Sequence, residues 1–146
     1  MMSVKRLIVT AAAIAGSLAF AAAPASADEQ KWQTVSTNEW WSCSPYKSHR
    51  VSDNVNYKWC IVRNAGGYAQ GVLVVQNKAS VKVSIEGEIL TNIPGGNEDC
   101  APTTLGPGAT RGCFGPTSYV GKGNILWVDV RLKLNNVDEW YEIQRG

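Results

Sequence analysis

The sequence has little of what nucleophilic catalysis and metal binding need. It holds one histidine, His49, and it contains neither a C-x-x-C pair nor a G-x-S-x-G motif. A nucleophile needs a base within hydrogen-bond reach, and a zinc site needs closely spaced Cys or His ligands. We interpret the polar stretch around His49 as a solvent-exposed loop. We therefore expect no enzyme, no catalytic residue, no metal site and no cofactor.

Paired carboxylates are the next candidates for chemistry. Glu86 and Glu88 would share one face of a strand, as an acid and base pair for glycoside hydrolysis would. The same parity also carries Lys82 and Ser84, which is typical of a solvated face. We therefore interpret the two glutamates as surface residues.

The chain has no excess of charge outside its first residues. Of its 14 Lys and Arg, two lie at Lys5 and Arg6, which leaves 12 basic residues against 12 acidic ones from residue 28 onward. Nucleic-acid binders and polybasic membrane-surface proteins carry a basic patch. We expect neither kind of partner here.

Long apolar runs are confined to the N-terminus. Lys5 and Arg6 precede an apolar, mostly alanine run over 7–23, and the small-residue triplet 25–27 follows it. This pattern predicts a cleaved secretory signal peptide over 1–27, because a membrane span needs about 20 strongly apolar residues. We expect one secreted domain over 28–146, located outside the cell and without a membrane anchor after cleavage.

The four cysteines predict two disulfides, because an exported chain with an even number of cysteines oxidises them in pairs. Three pairings are open. We favour the sequential one, since each bond then closes a short segment that we interpret as a hairpin or as adjacent strands. The favoured bonds are Cys43–Cys60 and Cys100–Cys113.

The segment 99–116, DCAPTTLGPGATRGCFGP, is predicted to organise the fold. Two cysteines bracket its turn at 106–108, so we expect a disulfide-stapled hairpin that joins two long strands. It would separate the strand ending at Thr91 from the strand starting near Asn124. Those two strands then need not be direct neighbours.

Apolar residues with a period of two mark the clearest strands. We predict strands over 81–91 and 124–134, a strand over 68–76 with a continuous apolar centre, and a final edge strand over 138–145. Residues 28–37 could be a first strand or a loose arm. The inward residues of the two alternating strands are Val81, Val83, Ile85, Ile89, Leu126, Val128, Val130, Leu132 and Leu134, and the outward ones in the second are Trp127, Asp129, Arg131 and Lys133.

About six to eight such strands, with Gly, Pro and Asn between them, predict an all-β sandwich or barrel. The run TLGPGAT over 104–110 resembles a proline-glycine turn of immunoglobulin-like sandwiches in secreted bacterial proteins. The whole secreted part is similar in style to small two-disulfide exported proteins of actinobacteria. The resemblance implies a single immunoglobulin-like antiparallel β-sandwich and brings no catalytic residue. A small β-barrel is the alternative.

Tryptophan and tyrosine in irregular or outward positions are the main binding signal. Such rings serve protein interfaces as anchors or sugars as stacking platforms, but they also pack under loops beside disulfides. We expect a secreted, non-catalytic binding module for an extracellular protein, such as an assembly or toxin-system component or an inhibitor. The alternative is a carbohydrate-binding module for cell-wall or plant polysaccharide. The candidate binding residues are Trp40, Trp41, Tyr46, Tyr119, Trp127 and Arg111.

Overall fold

The computed structural model describes residues 29–30 and 32–143, so the predicted signal peptide over 1–27 lies outside the described residues. The described chain forms eleven strands and contains no helix that could cross a membrane. The strands are β1 (Glu29–Gln30), β2 (Trp41–Cys43), β3 (Lys47–His49), β4 (Ser52–Arg63), β5 (Tyr68–Asn77), β6 (Val83–Thr91), β7 (Glu98–Leu105), β8 (Thr110–Phe114), β9 (Ser118–Tyr119), β10 (Val128–Leu134) and β11 (Val137–Tyr141).

The strands form two sheets that pack face to face. The five-stranded sheet has the order β1-β7-β6-β10-β11, and the six-stranded sheet has the order β2-β4-β5-β8, with β3 beside β4 and β9 beside β5. Every pairing is antiparallel except that of β1 with β7. Over the described residues neither sheet closes on itself, so the predicted all-β sandwich is confirmed and the barrel alternative is not adopted.

The main core lies between the inner faces of the two sheets. The inward residues predicted for the alternating strands are buried there, apart from Val81, and β6 and β10 pair directly along their length. The expectation that these strands need not be neighbours therefore does not describe the fold. The six-stranded sheet contributes Tyr57, Ile61, Leu73 and Val75.

The predicted hairpin over 99–116 is wrong, although its disulfide is confirmed. Strand β7 belongs to the five-stranded sheet and β8 to the six-stranded one, so the turn at 106–108 is a crossover between sheets. The ladder groups of β7 are already paired with β6 and β1, and those of β8 with β5. The bond Cys100–Cys113 therefore ties one sheet to the other across the core, with a Cα–Cα distance of 6.0 Å.

The second predicted disulfide, Cys43–Cys60, is also confirmed. It joins directly opposed residues of the neighbouring strands β2 and β4, whose Cα atoms are 4.0 Å apart. The two bonds thus differ in kind: one lies within a sheet and the other connects the two sheets.

Three further expectations fail at strand ends or on the outer face. Val81 is exposed because Asn77 donates its Nδ2 hydrogens to Val81 O and to the carbonyl oxygens of Leu105 and Gly106, which holds 78–82 as a turn. Residues 124–127 form a loop, and β10 begins at Val128. Asp129 has the predicted outward parity but is buried, because the C-terminal segment covers it and Ile143 N donates to its Oδ1 at 2.9 Å.

The N-terminal segment, left open between strand and arm, is an arm with a two-residue strand. Gln30 of β1 lies opposite Cys100, and three residues later Gln33 bridges Gly112 of β8. Trp32 Nε1 donates to Ala101 O at 2.8 Å. The arm therefore spans the side of the sandwich where the inter-sheet disulfide lies.

The arm also covers part of the outer face of the six-stranded sheet. There Val35 and Trp41 pack against a small buried cluster of Cys60, Val72 and Val74. A Cβ on Gly112 would lie 2.7 Å from Val35 Cγ2, so glycine permits this close approach. The six-stranded sheet is therefore apolar on both faces, which explains the continuous apolar centre of β5.

Candidate functional site

His49 is buried, so the prediction of a solvent-exposed histidine is wrong. Val51 N donates to its Nδ1 at 3.3 Å, which leaves the hydrogen on Nε2, and Nε2 donates to Leu132 O at 3.1 Å. Leu132 lies on β10 of the opposite sheet. Nε2 therefore holds the end of β3 to the other sheet, while Nδ1 accepts a hydrogen bond from the turn that follows β3.

The glutamates of β6 belong to a ladder of ion pairs on the outer face of the five-stranded sheet. Arg131 Nε lies 3.2 Å from Glu88 Oε1, and Arg131 Nη1 binds Asp138. Lys133 Nζ lies 4.0 Å from Glu86 Oε1. This arrangement matches a solvated face. Among the described residues, no three His, Cys, Asp or Glu side chains are grouped so that they could hold a metal ion.

Exposed apolar side chains gather at one end of the sandwich, where the β4–β5 turn, the β6–β7 turn and the loop after β9 meet. We call this set the aromatic end: Trp40 is 47% exposed, Tyr68 44%, Tyr119 63% and Ile125 89%. The rings of Tyr68 and Tyr119 meet edge to face with centroids 5.4 Å apart. Contiguous exposed apolar residues of this kind mark interaction sites.

A pocket of about 520 Å³ opens at the aromatic end, and we call it the Trp40 pocket. Its walls come from the start of β2, the β4–β5 turn and the glycine-flanked loop at 121–123. The charged and aromatic residues of its lining are Glu39, Trp40, Trp41, Arg63, Tyr68 and Lys122. A second pocket, of about 450 Å³, lies on the other side of the same loop beside Pro94, Tyr119 and Ile125.

Hydrogen bonds shape the turn that forms one wall of the Trp40 pocket. Asn64 Oδ1 accepts from Gly66 N at 2.9 Å and from Tyr68 N at 3.0 Å. Gly67 has a φ of 88°, which favours glycine, and a Cβ there would lie 2.9 Å from the Tyr119 ring. The turn is therefore packed directly against the aromatic pair.

The opposite wall, the loop after β9, is tied to the same turn. Val120 N and Gly121 N donate to Gly67 O at 2.8 and 3.1 Å. Arg63 Nη2 donates to Asn124 O at 2.8 Å, and Asn124 Nδ2 donates to Val120 O. The walls of the pocket thus have a defined shape without a ligand, which lowers the entropic cost of binding.

Three of the predicted binding residues converge at this end: Trp40, Trp41 and Tyr119. Trp41 and Trp40 differ in burial, because β2 begins at Trp41 and Trp40 lies in the turn before it. Trp41 packs edge to face on Phe114 at 5.8 Å in the outer cluster, and Trp40 stays exposed. One tryptophan therefore anchors the segment and its neighbour faces solvent.

The other three predicted residues lie elsewhere. Tyr46 is beside β3, with Lys58 Nζ 4.4 Å from its ring centroid. Trp127 is half-buried, and its backbone is bound to Thr91 and Asn92. Arg111, on β8, lies opposite Val75 of β5, and its Nη1 donates to Thr110 O. Since Val75 is seven steps along β5 from Tyr68, Arg111 is roughly 23 Å from the aromatic end.

Sequence reasoning missed four residues. Tyr68 and Ile125 belong to the aromatic end, and Arg63 and Lys122 line the Trp40 pocket. Tyr68 directly follows the Gly66-Gly67 turn, and Lys122 stands between two glycines, so both lie at reversals where side chains reach solvent. The sequence therefore marked both residues as exposed. It did not indicate at which end of the sandwich each reversal would lie.

Comparison of the chain with protein-family models, with curated proteins and with solved structures gives no match.

Proposed function

We propose that this protein is an exported, non-catalytic binding module that contacts an extracellular protein through its aromatic end. The observation that carries the proposal is the grouping of four large exposed apolar side chains, on strand ends and hydrogen-bonded loops, at one end of the sandwich. Aromatic anchors dominate the binding energy of protein interfaces because they bury much area at low conformational cost.

The chemistry of this end fits a protein partner. Tyr119 and Ile125 line one pocket of this end, and Arg63 and Lys122, which line the Trp40 pocket, add positive charge beside these exposed apolar side chains. An apolar centre with a charged rim is the usual anatomy of a protein interface. Export is supported by the signal-peptide pattern and by two disulfides, which persist in oxidising compartments.

Capture from the native secretome tests this function. Immobilised protein is compared with a Tyr119→Ala, Ile125→Ser double variant and with Tyr46→Ala, a matched control at an exposed ring away from this end. We expect a protein, identified by mass spectrometry, that binds the purified wild type and the control but is lost from the double variant. Capture of a protein that binds all three immobilised proteins equally would contradict the proposal, and so would the failure to capture any protein.

A carbohydrate is the second candidate ligand, and the Trp40 pocket favours it. A volume of about 520 Å³ lies within the usual range for small-ligand sites, and three aromatic residues, Trp40, Trp41 and Tyr68, line it. We expect cell-wall or plant polysaccharide to retain the wild type and to change its tryptophan fluorescence. Trp40→Ala should abolish both effects, whereas Tyr46→Ala should leave them unchanged.

A further inference from the structure

The Trp40 pocket carries more positive than negative side chains. Arg63 and Lys122 line it against a single carboxylate, Glu39. From residue 28 onward the chain has equal numbers of acidic and basic residues, so this excess is local. A concave site with an excess of one sign of charge attracts a ligand of the opposite sign.

Arg63 is held in a position suited to a carboxylate. Its Nη2 donates one hydrogen bond to Asn124 O, which fixes the side chain against the loop after β9. A guanidinium has five N–H donors in a planar fork, so further donors remain for a bidentate contact. Lys122 adds a second, more flexible cation on the same loop.

Two of the three aromatic residues of the pocket are held by ring contacts before a ligand arrives. Trp41 is held edge to face by Phe114, and Tyr68 is held by Tyr119. Trp40 is the ring of this pocket that stays most open to solvent. Three aromatic side chains around one volume offer a sugar ring an apolar surface to contact.

A peptide chain fits the same place less well. Strand β2, which forms one wall of the pocket, is only three residues long. Strand addition needs a longer run of main-chain hydrogen bonds for its affinity. The pocket is therefore better suited to a compact ring ligand than to an extended segment.

We propose that the Trp40 pocket binds a saccharide that carries a carboxylate, with its ring on Trp40 and its carboxylate bound by Arg63 and Lys122. This inference rests on the carbohydrate function proposed above, and it adds the ligand class: an acidic, uronate-type sugar. Neutral saccharides of the same shape bind more weakly because they leave the two cations without a counter-charge.

Titration with matched disaccharides tests the inference. The probes are digalacturonate and the neutral galactose disaccharide of the same linkage, measured by calorimetry and tryptophan fluorescence. We expect the acidic sugar to bind about tenfold or more tightly, as a charge-assisted contact implies. Raising the salt concentration should reduce that preference.

Variants separate the parts of the site. The Arg63→Gln, Lys122→Gln double variant should lose the preference for the acidic sugar. Lys122→Gln alone, which leaves the hydrogen bond of Arg63 to Asn124 O in place, should reduce that preference and keep the weak neutral binding, and Trp40→Ala should lose both. Arg111→Gln is the matched control, since it removes a cation outside the pocket and should bind as the wild type does. Far-ultraviolet circular dichroism verifies folding, and Trp40→Phe, which keeps a ring, should retain part of the affinity.

The outcomes distinguish this inference from the function on which it rests. Equal, Trp40-dependent binding of both sugars would overturn the acidic preference and leave the carbohydrate function standing. The absence of any saccharide binding would overturn both. Tighter binding of an acidic peptide than of digalacturonate, lost in the Arg63 and Lys122 variant, would replace the sugar with a protein ligand.

Discussion

The outer faces of the two sheets differ in what covers them. On the five-stranded sheet the outer face meets water and carries the ion pairs of Arg131 with Glu88 and Asp138. On the six-stranded sheet the outer face carries a buried cluster around Val72 and Val74, partly covered by the N-terminal arm. The five-stranded sheet is therefore apolar on its inner face, whereas the six-stranded sheet is apolar on both faces.

This difference is visible in the strands themselves. Strands β6 and β10 alternate between apolar and polar residues, whereas β5 is apolar without interruption over 71–75. Alternation with a period of two indicates that one face of a strand meets solvent, and a continuous apolar run indicates that both faces are covered. The Trp40 pocket is built on the doubly covered sheet, where Trp41 contributes to both the outer cluster and the pocket wall.

A charge introduced on each outer face should show the largest difference in stability between the two sheets. Val74→Asp places a carboxylate at a fully buried position of the outer cluster, and we expect a loss of about 3 kcal/mol because the lost hydration outweighs the attraction of its charged cross-strand neighbour, Lys58. Ser84→Asp, on the exposed outer face of the other sheet, should change stability by less than about 0.5 kcal/mol. Urea unfolding measures both. If Val74→Asp does not fold, Val74→Ala provides the measurement, and equal effects at the two positions would refute the comparison.

Removal of the disulfides should show the next largest difference. The two loops are of similar length, so each disulfide should contribute about 3 kcal/mol through the unfolded state. We expect the Cys100→Ala, Cys113→Ala variant to lose about 1 kcal/mol more than Cys43→Ala, Cys60→Ala, because both sulfurs of the bond between the sheets are buried in the main core whereas Cys43 is half-buried. Thermal unfolding of the oxidised proteins compares them, and a larger loss at the within-sheet bond would contradict this ranking.

Tyr57 connects the two sheets through its hydroxyl, which donates to Glu139 Oε1 at 2.8 Å. Burial, the hydrogen bond to Glu139 and the nearby charges of Glu139 and Tyr141 raise the pKa of Tyr57. Because its folded pKa lies above its unfolded one, this stabilisation is complete below about pH 10 and is lost as the pH rises further. Tyr57→Phe should cost about 1 kcal/mol at neutral pH and lose less stability in alkali. Unfolding curves against pH measure this, and parallel curves for the two proteins would exclude the proposed linkage.

The ion pairs of the solvated face should matter least. Glu88→Gln should cost about 0.5 kcal/mol, because the pair with Arg131 is partly exposed. The loss should shrink at high salt, whereas the cost of Val74→Ala on the other sheet should not. Chemical unfolding at low and high salt measures both, and a salt-independent loss for Glu88→Gln would argue against an electrostatic role.

Much of the fold could be predicted, because its signals are local. The parity of β6 and β10 identified their buried residues correctly, and short sequence separation pointed to both disulfides. The hairpin over 99–116 could not be recognised as a crossover. A glycine-proline turn has the same local chemistry whether the chain returns along its own sheet or passes to the other one.

Less of the candidate site could be predicted. Trp40 and Tyr119 were identified as exposed rings, but their meeting with Tyr68, Arg63 and Lys122 depends on segments far apart in the chain. His49 looked exposed because its neighbours are polar, yet its ring reaches a carbonyl of the opposite sheet. Neither contact has a local signature.

By itself the sequence determined the approximate positions and buried parities of the long strands, it favoured the observed disulfide pairing among three, and it predicts export. These follow from composition, period and spacing, which act between near neighbours. Only the tertiary structure decided which strands share a sheet, what covers each outer face and which loops form the Trp40 pocket. The reason is physical: strand pairing and loop convergence depend on long-range packing, and the same local pattern satisfies more than one arrangement.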